Sequence, residues 1–255
     1  MTEQWQQPTV GPEADPTVGP AGGGTPERRP RSRGALALGV LGELLITTGL
    51  VLALFVGYSL WWTDLVADRQ ADRAGDRLRH SWTAPAAPVV PYQGGAGLGF
   101  LHVPAMGRDF QVLIKMGTTP EVLNQGVAGV YEEPYRAAMP WDATGNFALA
   151  AHRDGHGAKF HDLDAVEPGD PVVVETRDSW YVYRIDATLP ETTKYDTGVV
   201  APVPQGSGYT KPGRYITLTT CTPVYTSRYR MVVWGSLVRV DPVDARRTPP
   251  PELRG

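Results

Sequence analysis

A long apolar run at residues 34–62 most constrains what this chain can fold into, because its only charged side chain is Glu43. About 20 helical residues span a hydrocarbon core, and the aromatic side chains of Tyr58, Trp61 and Trp62 suit the membrane interface. The run is too long and too uniformly apolar for a buried core helix, and no small-residue cleavage site follows it. We therefore predict a transmembrane signal-anchor helix over 34–62. Glu43 could snorkel towards the interface or pair with another helix, and the sequence leaves both open.

The charges around this run predict its orientation. Four arginines precede or begin it, and no other Lys or Arg occurs before Arg69: Arg28, Arg29, Arg31 and Arg33. A basic flank faces the cytoplasm, so we expect a single-pass protein of the cell membrane with a cytoplasmic N-terminus and its remainder outside the cell. The net charge of -3 and pI of about 6.0 give no global basic field, so we expect the lipid bilayer as a partner and no nucleic acid.

Three further segments have the composition of tails and connections. Residues 1–33 are polar and rich in Pro and Gly, which predicts a disordered cytoplasmic tail. Residues 63–96 begin with alternating Asp and Arg and end with repeated Pro, which predicts a solvated helical stalk followed by an extracellular Pro-rich linker. Residues 242–255 contain no core residues and predict a disordered C-terminal tail.

The sequence pattern of residues 97–241 is typical of a mainly β domain. Short apolar or alternating runs are separated by turn signals, and a long loop is expected at 188–213. Eight or so strands with few, short helices predict a closed eight-stranded β-barrel. The predicted strands are 100–104, 110–114, 147–151, 171–176, 180–187, 215–220 and 229–240, with a short helix at 122–126.

Cys221 is the only cysteine in the chain, so it can form neither an internal disulfide nor a thiolate metal cluster. What remains is an inert buried thiol or a nucleophile. The surroundings favour the nucleophile, since Arg228 and Arg230 follow closely and His152 ends an apolar run upstream. A thiol, an imidazole and a guanidinium are the minimum set for thiol acyl chemistry.

Three separated motifs carry a family resemblance, over roughly residues 97–240. The sequences TLTTCTP at 217–223, TGNFALAAHR at 144–153 and RYR at 228–230 resemble those of the sortases. The Cys-Thr-Pro, the spacing from Cys221 to Arg230 and the Ala-Gly-Val-Tyr at 128–131 are similar to class E sortases of high-GC Gram-positive bacteria. The resemblance implies a membrane-anchored cysteine transpeptidase that cleaves a C-terminal sorting signal of surface proteins between Thr and Gly.

The resemblance also implies residue roles. Cys221 would form a thioester with the substrate, His152 would protonate the leaving amine, and Arg230 would stabilise the oxyanion. On a strand Arg228 shares a face with Arg230, so periodicity does not separate them and the family spacing selects Arg230. The acceptor would be an amine of a peptidoglycan precursor. The residues expected to bind substrate are Thr220, Tyr131 and Thr222.

Two departures from the best-known sortases bear on the substrate. Ala151 stands directly before His152 where many sortases have Gly, and residues 129–131 read Gly-Val-Tyr where Gly-His-Tyr is common. Both are similar to the class E pattern, which implies a preference for LAxTG over LPxTG. The loop at 188–213 is expected to form a wall of the substrate groove, as the corresponding loop does in sortases.

Other sites and other functions were weighed against this interpretation. His156 and His161 are alternative acids, and His152 with His156 has the spacing of a metal pair, but Gly155 and Gly157 argue against a helix there, so we expect no metal and no cofactor. An L,D-transpeptidase would show Ser-x-Gly-Cys, which is absent, and a papain-like hydrolase would place Cys before His. A non-catalytic anchored β-barrel that binds wall or surface-protein peptides is the remaining alternative.

Overall fold

The computed structural model describes residues 33–58, 62–83 and 97–254. The predicted cytoplasmic tail, apart from Arg33, and the predicted Pro-rich linker at 84–96 lie outside the described residues. Helix α1 spans Arg33–Gly57. Among the described residues its segment Leu36–Gly57 is the one helix long and apolar enough to cross a bilayer, by length and composition alone.

A closed β-barrel of eight strands forms the body of the chain, as predicted. Around the barrel the order is β1-β2-β3-β4-β7-β8-β6-β5, and pairing of β1 with β5 closes it. Strands β2 and β3, and strands β4 and β7, are parallel, whereas the other neighbours are antiparallel. The strands are β1 Gly99–His102, β2 Gln111–Met116, β3 Ala128–Val130, β4 Gly145–Ala150, β5 Pro171–Glu175, β6 Ser179–Thr193, β7 Arg214–Thr222 and β8 Tyr229–Pro242.

The helical elements that accompany the barrel are short, apart from α2, which spans Thr63–Thr83. Helix α3 is a single turn, Pro120–Leu123, close to the helix predicted at 122–126. Single 3₁₀ turns occur at Pro104–Met106, Leu163–Ala165, Thr197–Val200 and Pro251–Leu253.

The parallel pair β4 and β7 is a largely buried part of the barrel wall. Apolar side chains of both strands, such as Phe147, Leu149 and Leu218, are fully buried. Buried Thr hydroxyls on β7 find partners, since Thr217 donates to Asn146 Oδ1 at 2.8 Å. A strand buried on both sides needs such internal partners because no water reaches its polar atoms. The buried pairing of β4 and β7 therefore fixes the position of the residues at the carboxyl ends of both strands.

Helix α2 differs from the solvated stalk predicted for the start of 63–96. One side of the helix is buried through Ala67, Ala71, Ala74 and Leu78, which recur at helical spacing. The part of the helix from Ala71 to Leu78 packs with barrel side chains in one apolar cluster, which includes Phe100, Leu113 and Val127. The charged residues that suggested full solvation occupy the other faces of the helix.

The segment after β8 likewise differs from the disordered tail predicted for 242–255. Arg247 reaches the barrel, where its guanidinium bonds Glu175 Oε1 at 2.8 Å and the carbonyl of Thr176 at 2.7 Å. Leu253 packs against the buried Trp180 cluster. Polar contacts of Arg247 and apolar contacts of Val243 and Leu253 together hold this segment on the barrel.

The loop predicted at 188–213 is shorter than expected because β6 continues to Thr193 alongside β8. The remainder packs onto the barrel, where Val199 and Val200 are buried and Trp234 Nε1 donates to the carbonyl of Val199 at 2.9 Å. The first six residues of the predicted loop, 188–193, are therefore strand, and the rest is a connection that packs on the barrel.

Candidate active site

Cys221 lies near the end of β7, directly opposite Arg230 on the antiparallel strand β8. Side chains that face each other across such a pair lie on the same side of the sheet, with Cβ atoms about 4.5–5.5 Å apart. The thiol is partly exposed rather than enclosed. The structure thus brings the predicted nucleophile and the predicted guanidinium together at an accessible end of the barrel.

His152 follows β4, the other neighbour of β7. The parallel register pairs Ala150 with Thr219, and continuing it by two residues brings His152 level with Cys221. Two bonds hold the strands together at this point, from Ala151 N to the carbonyl of Thr219 at 3.3 Å and from Thr220 Oγ1 to the carbonyl of Ala151 at 2.9 Å. Cys221 on β7, Arg230 on β8 and His152 just beyond β4 therefore lie at the same end of three neighbouring strands.

The imidazole of His152 is held by the end of helix α3. Its Nε2 lies 2.8 Å from Asn124 Oδ1, and because an amide oxygen only accepts, this contact requires the proton on Nε2. The ring of His156 lies 5.5 Å away between centroids. Burial first, and then the charge of His156, lower the pKa of His152, although Asp154 opposes the shift. The imidazolium is therefore scarcer at neutral pH than for an exposed histidine.

The structure separates the two candidate arginines. Arg228 precedes β8, is exposed, and lies with its guanidinium 5.1 Å from the ring centroid of Tyr229. Arg230 is on the strand, and its Nη1 donates to the carbonyls of Ser227 at 3.0 Å and Tyr229 at 2.9 Å. The strand thus begins between the two residues, and only Arg230 stands opposite Cys221.

Tyr131 lies directly after β3 at the same end of the barrel. Its hydroxyl shares a hydrogen bond of 2.9 Å with Thr219 Oγ1. Burial raises the pKa of Tyr131, while the hydrogen bond with Thr219 and the positive charge of Arg230 oppose the rise. The phenol is therefore neutral at physiological pH and close enough to feel the charge of Arg230.

The two threonines expected to bind substrate are buried, with their hydroxyls bound to protein atoms. Thr220 donates to the carbonyl of Ala151, and Thr222 accepts from Arg153 Nη1 at 3.1 Å. Through these two hydrogen bonds, the hydroxyls of Thr220 and Thr222 connect β7 to the segment that carries His152. Thr222 also lines a cavity of about 470 Å³, as does Thr188 of β6.

Arg153 is a site-supporting residue that sequence reasoning missed. It is 5% exposed and lies 2.9 Å from Asp164. Its guanidinium also donates to the carbonyl of His161 at 3.2 Å and to Thr222. Its place directly after His152 in an apolar run was the available signal. Asn124 carried no comparable signal, because an Asn before Gln and Gly is typical of any helix end.

The alternative histidines take other places. His161 Nδ1 lies 2.9 Å from the carbonyl of Arg153, so it faces the loop rather than Cys221. His156 has a positive φ of 50° and stands beside His152 without a helix between them. Across the parts of the chain that the structure describes, no three His, Cys, Asp or Glu side chains group as a metal ion would require.

Comparison with known proteins places this geometry in a family. The sortase domain model matches residues 101–238. Sortase SrtE2 of Streptomyces coelicolor is 56% identical over 239 residues, which are 91% of this chain and 94% of that protein. Sortase SrtE1 of the same organism is 44% identical over 220 residues, which are 85% of this chain and 62% of that protein.

Solved structures agree with the sequence relatives. Sortase E1 from Streptomyces coelicolor, crystallised with a tripeptide in its active site, superposes with a TM-score of 0.58 at 44% identity, covering 64% of this chain and 99% of that chain. Sortase E from Streptomyces avermitilis gives a TM-score of 0.56 at 36% identity, covering 64% of this chain and 100% of that one. The chain therefore belongs to the sortase family, in class E.

Proposed function

We propose that this sortase, a transpeptidase that attaches proteins to the cell wall, cleaves an LAxTG-like sorting signal between Thr and Gly through a thioester on Cys221. The observation that supports the proposal is the strand register: Cys221 is paired with Arg230 across β7 and β8, and His152 follows β4, whose register continues level with Cys221. The tripeptide in the active site of the related sortase E1 supports a peptide substrate. The LAxTG preference rests on the class E relationship.

The proposed reaction has two steps, formation of the thioester and its aminolysis, and His152 transfers the proton in both. The Cys221 thiolate attacks the carbonyl carbon of the Thr–Gly bond, and the electron pair of the carbonyl moves to oxygen. When the C–N bond breaks, the His152 imidazolium gives its proton to the leaving Gly amine and a thioester remains. A peptidoglycan-precursor amine then attacks the thioester, gives a proton to His152 and expels the thiolate. One amide replaces another, with no oxidant or reductant.

Arg230 is proposed to stabilise the oxyanion in both steps. Its Nη1 is fixed by two backbone carbonyls, which leaves donors on Nε and Nη2 in a fixed direction on the face that carries Cys221. A preorganised donor is worth more than a flexible one, because it needs no rearrangement as charge develops. Tyr131, with its neutral phenol near the same guanidinium, is proposed to contact the substrate. Thr220 and Thr222 are proposed to shape the site from the β7 side.

Helix α1 is proposed to anchor the enzyme in the membrane. The 22 residues of Leu36–Gly57 have a mean hydropathy of 2.1, and they rise about 33 Å at about 1.5 Å per residue, enough for a hydrocarbon core. The arginines before the helix favour a cytoplasmic N-terminus, with the catalytic barrel outside. Surface proteins and cell-wall precursors would both be available there.

The test uses the full-length protein in detergent with LAxTG and LPxTG peptides and a panel of primary amines. We expect faster cleavage of LAxTG, a thioester adduct on Cys221 by mass spectrometry, and an amide product only when an amine is present. Cys221→Ala should show no cleavage. A wild-type protein that binds the peptides as tightly as Cys221→Ala, and cleaves none, would instead support the non-catalytic alternative.

A further inference from the structure

Helix α2 touches the segment that carries His152. That segment, here called the His152 loop, comprises residues 152–160 and is closed by a hydrogen bond from Phe160 N to the carbonyl of His152 at 2.9 Å. Gly157 N in the loop donates to Asp64 Oδ1 of the helix at 2.9 Å. Two residues further, Lys159 Nζ lies 2.8 Å from Asp68 Oδ1. The carboxylates of Asp64 and Asp68, one helical turn apart on α2, thus hold residues 157 and 159 of the His152 loop.

The same helix contacts the segment that holds the imidazole of His152. Asn124, whose amide oxygen bonds His152, is followed two residues later by Gly126. A Cβ placed on Gly126 would lie 3.2 Å from the carbonyl of Ala67, which stands between the two carboxylates on α2. Helix α2 therefore supports both neighbours of His152, the loop that continues its backbone and the turn that fixes its ring.

The His152 loop needs external support because of its backbone conformation. His156 and Ala158 have positive φ angles of 50° and 38°, which are unfavourable for residues with a Cβ. Such conformations persist where surrounding contacts fix them. Gly157, with a φ of 82°, allows the close approach, since a Cβ there would lie 2.7 Å from Asp68 Oδ1.

We propose that Asp64 and Asp68 are positioning residues that act on catalysis through His152. This inference rests on the proposed function, in which the imidazole must lie beside Cys221 for proton transfer. Without the two carboxylates the His152 loop samples conformations in which the imidazole is misplaced. The chemical step then slows in proportion to the population lost, whereas peptide binding does not change.

The experiment compares full-length Asp64→Asn, Asp68→Asn and the double variant with wild type, using the LAxTG peptide and an amine acceptor. Asp72→Asn is the matched control, since Asp72 is one turn further along α2, is exposed, and has no hydrogen bond or ion pair with the barrel among the described residues. We expect kcat of the double variant to fall roughly fivefold to tenfold, the scale of one charge-assisted hydrogen bond plus one partly exposed ion pair. KM and Tm should stay close to wild type, and the control should match wild type throughout.

A charge exchange provides the second readout. Asp68→Lys and Lys159→Asp should each lower kcat, and the double exchange Asp68→Lys with Lys159→Asp should restore most of it, because it recreates the ion pair with reversed sign. A double Asn variant with wild-type kcat, or a loss in kcat matched by an equal loss of folded protein, would overturn the inference. An inactive wild type would instead refute the proposed function, so the two failures are distinguishable.

Discussion

Replacing Glu175 by Gln should loosen the C-terminal segment and lower the stability of the barrel unit. The Glu175 side chain is 5% exposed and accepts from Arg247 at 2.8 Å and His102 at 3.1 Å. Arg79 of α2 lies 3.7 Å away. Gln keeps the shape and loses the charge, so Arg247 exchanges a carboxylate for a neutral amide oxygen and keeps two backbone carbonyls and the face of Trp82 as partners.

The expected loss of stability depends on how exposed the arginine partners of Glu175 are to water. Breaking an enclosed ion pair costs about 3–5 kcal/mol. Arg247 is 28% exposed and Arg79 39%, so solvation offsets part of that cost and we expect a loss of about 2 kcal/mol. For a unit of this length this corresponds to a Tm lower by about 4–8 °C. Asp178→Asn is the control, because that carboxylate lies on the adjacent turn and is 87% exposed.

The stability that Glu175 contributes should also depend on pH. Burial alone would raise the pKa of Glu175, but the hydrogen bonds from His102 and Arg247 outweigh it and lower the pKa below its ordinary 4.5. The stability contributed by Glu175 is therefore present above pH 4.5 and is lost as the pH falls through the lowered value. The Tm difference between wild type and Glu175→Gln should shrink over that interval.

Thermal unfolding by circular dichroism and limited trypsin digestion after Arg247 are the assays. We expect the variant to release residues 248–255 sooner than wild type or Asp178→Asn does. A Tm within about 1 °C of wild type at neutral pH, with unchanged digestion, would show that Glu175 does not hold the C-terminal segment.

Three other predictions concern the catalytic end. Arg230→Ala should lower kcat by roughly 10²–10³-fold, whereas Arg228→Ala should stay within about threefold, measured by peptide cleavage; a larger loss at Arg228 would reverse the assignment. Arg153→Met should lower Tm by about 4–8 °C in thermal unfolding, because it leaves the partners of a buried guanidinium unpaired; an unchanged Tm would refute this. The lowered pKa of His152 means that stability is lost as the pH falls from 6.5 towards the lower value, and His152→Gln should flatten that slope in denaturant titrations at several pH values.

The strand pattern made the barrel predictable, whereas short and polar pairings were not. Alternation marked seven strands, but β3 has three residues, Ala128–Val130, too few for a period to show. The end of β6 is polar, with Glu191 and Thr192, and reads as a loop. It forms a strand because the long partner β8 offers it a free edge. Tertiary pairing, rather than local preference, decides such segments.

The proposed catalytic residues could be selected from the sequence because the family motif concentrates them. Cys221, His152 and Arg230 were each selected from sequence, and the strand register brings them to one end of the barrel. Their support was harder to predict. Asn124 and Asp64 act through contacts between distant segments, and single hydrogen bonds of this kind leave no periodic signal.

Helix α2 shows how composition misled the sequence interpretation. Its many Asp and Arg residues predicted full solvation, yet a stripe of small residues, Ala67, Ala71 and Ala74, lets the helix lie close to the barrel. Alanine contributes little to any hydrophobic average, so the stripe was masked by the charges around it. The C-terminal segment was missed for a related reason, since it is held by the contacts of Arg247 and by two isolated apolar side chains, Val243 and Leu253, rather than by a periodic apolar run.

The parallel pairing of β4 with β7 also bears on the order in which the proposed active site assembles during folding. Cys221 and Arg230 come from a hairpin nine residues apart in the chain, but His152 precedes Cys221 by 69 residues. Local hairpins form before contacts that close long loops. A folding chain would thus bring the thiol and its guanidinium together before the proposed acid, His152, joins them. Acyl transfer would begin only once the barrel closes, so an incompletely folded chain would not acylate passing proteins.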